Sequence, residues 1–275
     1  MSGRLSGRSA LIAGGARGIG RTQAVRFAEE GADLIVLDCC AGGSTTPEVS
    51  RADLAETVRQ IEALGRRAFA VDVDVRDQKA LDAALAQGVA SLGRLDIVCT
   101  TTEIGSAGNI VELPSVVWQT MLDVHLTGVW KTCKAAIPHM LASDGVGGSI
   151  VLTGSDAGLR GTAGGGHRAA AEHGVVGLMR TLAKELAPKD IRVNTVHRSN
   201  ASHDLTHDPD AIPGRREIAN ASLFLASDEA RGITGVVLPV DVGHCRNNAL
   251  PADESIGIRR QLQLSTRQLH KDGSG

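Results

Sequence analysis

Apolar runs of strand length alternate with longer amphipathic stretches along most of this 275-residue chain, and that alternation limits its fold more than any other feature. The runs RSALIAG (8–14), DLIVLD (33–38), RAFAVDV (67–73), LDIVCT (95–100), GSIVLTG (148–154), IRVNTV (191–196) and GVVLPVDV (235–242) read as strands. Stretches near 18–30, 51–64, 77–91, 115–142, 165–187 and 215–227 carry helical periodicity. Strands that are apolar throughout and separated by helices specify a parallel sheet covered on both faces. The expected fold is therefore α/β: one domain over residues 1–245 with a doubly wound, Rossmann-type sheet of seven parallel strands. Residues 246–275 are polar and end in Gly-Ser-Gly, so they read as a mobile tail with one short helix near 256–269.

Charge and composition narrow the partners. A net charge of -2, with Lys and Arg scattered along the chain, offers no electrostatic footprint for nucleic acid or a membrane surface. No apolar run approaches 18 residues and no cleavable leader pattern opens the chain, so a cytoplasmic protein is expected. Five cysteines, an odd number without C-x-x-C spacing, read as reduced thiols. The chain contains no tyrosine, which excludes any mechanism that needs a phenol as proton donor.

The first strand runs into Gly14-Gly15-Ala16-Arg17-Gly18-Ile19-Gly20, and a helix follows at once. Glycines there permit a tight turn and let backbone N–H groups approach a pyrophosphate at a helix N-terminus. Asp38 ends the next strand about 20 residues on, where a carboxylate can accept both ribose hydroxyls and repel a 2′-phosphate. Gly14, Arg17, Gly18, Ile19, Gly20 and Asp38 are accordingly candidates for binding NAD rather than NADP, with Asp74 and Val75 near the adenine. A glycine turn kept for packing, beside a solvated strand-end aspartate, is the alternative reading of the same residues.

GGARGIG, Asp38, Asp74-Val75, GRLDIV, GSIVLTGS, HGVVGLMRTLAKELAPKDIRVNTV and IANASLFLASDEARGITGVVLPVDVG together resemble the short-chain dehydrogenase/reductase family over about residues 7–245. The likeness is greatest to actinobacterial NAD-linked alcohol dehydrogenases of the carveol-dehydrogenase kind. The resemblance implies oxidation of alcohols or reduction of ketones by an Asn, a Ser, a Tyr and a Lys, usually in a tetramer. Carried over by position, Ser155 matches the serine, whereas Arg168 stands at the tyrosine position, Glu172 at the lysine position and His125 at the asparagine position. The loop after the fourth strand reads Thr100-Thr101-Thr102-Glu103 in place of an N-A-G pattern, and Arg198 replaces a proline after the sixth strand.

Arginine stays protonated, so Arg168 cannot serve as a general acid or base, and Glu172 reverses the sign of the neighbouring charge. At i, i+4 on one helix the two are expected to pair with each other. Glu103 would place bulk and negative charge near the nicotinamide, and the short segment 198–214 provides little lid. Histidines 167, 173, 197, 203 and 207, with Asp204 and Asp208, allow a metal reading that is set aside in favour of a solvated loop; no metal is expected. A hydrolase triad of Ser155, His125 and Glu103 lacks the G-x-S-x-G elbow.

These substitutions lead to the expectation of a catalytically degenerate homologue with weak or vestigial NAD binding and a binding, regulatory or assembly role, in which conventional alcohol dehydrogenase activity is absent. A non-redox acid-base enzyme using His125, Ser155 and Glu172 is the alternative, and an NAD-dependent oxidoreductase of alcohols and ketones is the third reading. A small-molecule ligand and a homodimer or homotetramer, or pairing with an active paralogue, are the expected partners.

Overall fold

Strand β1 (Ser9–Ala13) is an interior strand of one seven-stranded sheet whose order is β3-β2-β1-β4-β5-β6-β7. The other strands of the sheet are β2 (Asp33–Asp38), β3 (Ala68–Asp72), β4 (Ile97–Thr100), β5 (Gly148–Ser155), β6 (Ile191–Arg198) and β7 (Val237–Val240); β1 pairs with β2 and β4, and every pairing is parallel. The computed structural model describes residues 3–40, 49–143, 147–199 and 214–241. Within them the chain is a single Rossmann-like α/β domain, with Met1–Asp241 as one compact unit. The expected mobile tail and most of the short 198–214 segment, including His203, Asp204, His207 and Asp208, lie outside the described residues.

Alternation along each strand sends side chains to two cores. Leu11, Ile35, Leu37, Ile150 and Leu152 face α3 (Gln78–Leu92), α5 (Val129–Ala142) and α6 (Gly166–Leu186), while Ala10, Ile12, Leu34, Val36 and Val151 face α1 (Gly18–Glu29), α2 (Arg51–Ala63) and α7 (Arg215–Ala226). Local chemistry sets several boundaries. Ser50 and Asp53 form a reciprocal capping box at the start of α2, Asp77 caps α3, and α3 stops at Gly93 in the left-handed region. Among the described residues no helix is long and apolar enough to cross a membrane.

One element departs from the sequence pattern. The stretch expected as a continuous helix over 115–142 is broken: α4 (Ser115–Leu122) passes into a π-helical stretch at Asp123–Gly128 before α5 begins. The wider turn packs Gly128 against Val75 and buries His125.

The sheet order reverses beside β1, because β2 and β3 extend to one side and β4 to β7 to the other. In such sheets the crevice at the carboxyl ends of the strands flanking the reversal is where ligands bind.

Candidate active site

Above that reversal the glycine turn closes tightly on itself. Gly14 and Gly15 donate their N–H groups to the Leu37 carbonyl at 2.8 and 3.1 Å, which ties the turn to β2. A Cβ at Gly20 would stand 2.0 Å from the Gly14 oxygen, so no larger residue fits there. Gly18 opens α1 at φ +57, and a Cβ on it would meet nothing within 4 Å, which leaves an open cradle at the helix N-terminus. Asp38 reaches the same place: its Oδ2 accepts the Ala16 N–H at 2.9 Å and its Oδ1 the Cys39 N–H at 2.9 Å. Burial raises the Asp38 carboxyl, outweighing these hydrogen bonds. Asp74 lies beyond β3, and its carboxylate is gripped by the Arg76 guanidinium, with Nε at 2.9 and 3.0 Å from the two oxygens.

The second half of the crevice is a charged cluster drawn from five elements. Periodicity on α6 places Glu172 in phase with His167, Val175 and Met179 on the buried face, and Arg168 one turn before it. Ser155, the last residue of β5, donates its hydroxyl to both Glu172 oxygens at 2.8 and 2.9 Å and its N–H to Oε2 at 2.6 Å. Glu172 is 3% exposed and Ser155 1%, so this contact is shielded from water. Arg168 Nε donates to Glu172 Oε1 at 2.9 Å, the pair that the i, i+4 spacing suggests. From the π-helical stretch, His125 brings Nδ1 to 3.9 Å from Glu172 Oε1, while its Nε2 sits 3.1 Å from both the N–H and the carbonyl of Ile104.

Glu103 corrects a charge argument. Rather than presenting a free negative charge to the crevice, its Oε1 accepts hydrogen bonds from Arg168 and Arg198 together. Burial would raise the Glu103 carboxyl, but Arg198 and Arg168 overcome it and hold it down to about 2. Glu172 is likewise lowered by Arg168 against the effect of burial. His125 is lowered by burial and by Arg168, against Glu172 and Glu103, so its imidazole is neutral near pH 7.

These pairs fill the crevice, and the space left among Ile19, Thr101, Glu103, His125, Ser155 and Arg198 is about 20 Å³. A larger cleft of about 330 Å³ opens at the opposite, amino-terminal edge of the sheet near Arg8, Asp96, Asp190 and Arg192. The smaller slot is the candidate site, because the glycine turn and the ionisable cluster converge there.

One supporting residue had no mark in the sequence, and another was marked for a different role. Gln23 on α1 donates to Ser222 Oγ at 2.8 Å and to Thr153 Oγ1 at 3.2 Å, and accepts from Thr101 Oγ1 at 2.6 Å. His197 Nδ1 meets the Ser155 carbonyl at 2.7 Å beneath the site, a partner that its place among the histidines of the metal reading did not indicate. The hydrolase arrangement is not formed: Glu103 is bound to the arginines, and His125 Nδ1 faces Glu172. Among the described residues no group of His, Cys, Asp and Glu could hold a metal ion.

The family model described as enoyl-(acyl carrier protein) reductase matches residues 14–244. The chain belongs to the short-chain dehydrogenase/reductase family. It is 42% identical to (-)-trans-carveol dehydrogenase from Rhodococcus erythropolis, covering 87% of this chain and 98% of that protein. Among solved structures it is similar to carveol dehydrogenase from Mycobacterium avium in complex with NAD, at 44% identity and TM-score 0.80 over 87% of this chain and 98% of that one. A short chain dehydrogenase from Mycobacterium paratuberculosis bound to NAD is 36% identical, with TM-score 0.82 over 89% of this chain and all of that one.

These likenesses overturn the expectation of a degenerate scaffold with a vestigial cofactor site. Relatives sharing nearly the whole short-chain dehydrogenase/reductase domain are named dehydrogenases, and two were crystallised with NAD. The expectation weighed the replaced side chains above the likeness of the whole domain. Ser155, Glu172 and His125 form one buried, ionisable cluster at the carboxyl edge.

Proposed function

We propose that this protein is an NAD-linked oxidoreductase that interconverts a secondary alcohol and its ketone. The observation that carries this reading is the convergence of an open glycine cradle with Asp38 and the Ser155 cluster at one sheet edge, in a chain 44% identical to a carveol dehydrogenase bound to NAD. NAD fits the adenosine side: Gly14, Arg17, Gly18, Ile19 and Gly20 would hold the pyrophosphate, Asp38 would accept the ribose hydroxyls, and Asp74 and Val75 would border the adenine. When bound, NAD supplies the hydride acceptor.

By resemblance, His125, Arg168 and Glu172 replace the family's asparagine, tyrosine and lysine, so the proton must travel by other groups. Ser155 Oγ meets the substrate hydroxyl and passes its own proton to Glu172, to which it is already hydrogen-bonded. His125 Nδ1, 3.9 Å from Glu172 Oε1, would accept the proton onward once it closes to hydrogen-bond distance, in the tautomer whose Nε2–H donates to the Ile104 carbonyl. Arg168 holds Glu172 ionised before transfer and stabilises negative charge on the substrate oxygen.

The test is NADH formation by the purified protein with a panel of cyclic and open-chain secondary alcohols, and its reverse with the ketones. Ser155→Ala should lower turnover by about 10² to 10⁴. If NAD binds in calorimetry yet no alcohol or ketone turns over, the reading fails. The protein is also proposed to act in the cytoplasm as a homodimer or homotetramer. Trp130 and Leu141 exposed on α5 support the assembly, and a strict monomer in light scattering at micromolar concentration would count against it.

A further inference from the structure

The slot at Ser155 is closed by two arginines that share a single loop carboxylate. Arg168 comes from α6 and Arg198 from the end of β6, and both donate to Glu103 Oε1. The arginine side chains are 16% and 11% exposed, whereas that of Glu103 is 36% exposed. Arg168 has a second carboxylate in Glu172, while among the described residues Arg198 is paired with Glu103.

About 20 Å³ remains among the described residues beside them, room for roughly one water molecule, so a substrate must displace a lining side chain, and Glu103 is the most exposed of the charged group. A neutral substrate that displaced Glu103 would leave the largely buried Arg198 without an anion, which is costly. A substrate carrying its own carboxylate would restore both guanidinium contacts and leave the charge of the cluster unchanged.

The Glu103 side chain has somewhere to go, because it is the most exposed member of the group. Its main chain does not: Thr101 N–H is held by the Ala13 carbonyl at 2.7 Å, the Ile104 carbonyl by His125 Nε2 at 3.1 Å, and Gly108 N–H by the Gly164 carbonyl at 2.9 Å. A side-chain rotation alone can release the arginines.

We propose that Glu103 stands in for a substrate carboxylate, and that the substrate is a short hydroxy acid or keto acid whose carboxylate takes its place between Arg168 and Arg198. The proposal rests on the oxidoreductase reading of this pocket and names the substrate class. Arg168 Nε and Ser155 Oγ each sit 2.9 Å from Glu172 Oε1, so the carboxylate and the reacting hydroxyl bind close together. A hydroxyl on the second or third carbon, counting the carboxylate carbon as the first, keeps the two groups that close.

The test is calorimetry on the full chain without NAD, using lactate and 3-hydroxybutyrate against lactamide and 3-hydroxybutyramide. At least one acid should bind the wild type about tenfold or more tightly than its amide, and Glu103→Gln should strengthen acid binding about tenfold while leaving the amides unchanged. Arg198→Gln should abolish the preference, and Arg198→Lys, which keeps the charge if the glutamine variant does not fold, should retain part of it. Equal affinity for acids and amides, no measurable binding of either acid, or a preference that survives Arg198→Gln overturns the proposal. Because binding is read without turnover, the two readings can fail separately. Acid binding without oxidation defeats the oxidoreductase reading, whereas turnover of neutral alcohols without acid preference defeats this one.

Discussion

Glu172 accepts both the main-chain N–H of Ser155, at 2.6 Å, and its hydroxyl, at 2.8 Å. A single carboxylate on α6 therefore holds the last residue of β5 by backbone and side chain alike, and Arg168 one turn earlier holds that carboxylate. The site is consequently a structural joint between helix and sheet as well as a chemical centre.

Glu172→Gln should weaken this joint. The amide keeps the shape, but one of its two acceptors becomes a donor facing Ser155 or Arg168. Breaking a buried ion pair typically costs about 3 to 5 kcal/mol. Arg168 keeps Glu103, so a loss of about 2 to 3 kcal/mol in urea unfolding, with an unchanged m-value, is expected. A change below about 0.5 kcal/mol would show that Glu172 does not anchor Ser155.

Stability should fall on acidification in two stages. His125, His167 and His197 have folded pKa values below the ordinary histidine value because burial disfavours the imidazolium. The unfolded chain protonates them first, so their contribution is complete above about pH 6.5 and declines as pH drops through their folded values. Glu103 and Glu172 are depressed, so their contribution is present above about pH 4.5 and is lost as pH falls toward about 2 for Glu103. Asp38, whose carboxyl is raised, acts in the opposite sense. Unfolding measured from about pH 7.5 to 5.5 should show declining stability, and His197→Gln should flatten that slope, which is at most about 1.4 kcal/mol per pH unit for each histidine. A flat wild-type profile over that interval would remove the histidines from the account.

The cofactor side gives a separate test. Asp38→Ala should weaken NAD binding about tenfold or more, the usual value of hydrogen bonds to a charged group, and should narrow the difference between NAD and NADP. Gly20→Ala forces a Cβ to within 2.0 Å of the Gly14 oxygen and should abolish NAD binding by opening the turn. Calorimetry on both variants decides the matter: an unaltered NAD to NADP ratio in Asp38→Ala would remove the ribose role from that carboxylate.

The π-helical stretch is testable by a double-mutant cycle. A Cβ at Gly128 would approach Val75 Cγ2 to 2.6 Å. Alanine gains about 1 kcal/mol of helix propensity over glycine, but overpacking typically costs about 1 to 3 kcal/mol, so Gly128→Ala should destabilise modestly. Val75→Ala in the same chain should remove the clash, giving a coupling of about 0.5 to 2 kcal/mol in denaturant unfolding. Strictly additive effects would mean that the two residues do not press on each other.

The sequence by itself determined the seven strands, most helix limits, the glycine turn with Asp38 and the ion pair of Arg168 with Glu172. All of these depend on short-range patterns: an unbroken apolar run of strand length in DLIVLD, helical spacing along 166–186, and i, i+4 neighbours on one helix. The break at Asp123–Gly128 left no trace in the apolar pattern, because it answers to Val75 from another part of the chain. Glu103 read alone is a repelling charge. It became a neutralised one only because β5 and β6 align Ser155 beside Arg198, which brings an arginine 95 residues away to the same carboxylate. Likewise, His197 under Ser155 and Gln23 across three elements are products of strand order and register. Local periodicity records which side chains are buried, whereas the partner of a buried charge is chosen by which strand ends the sheet places next to each other, and only the tertiary structure specifies that.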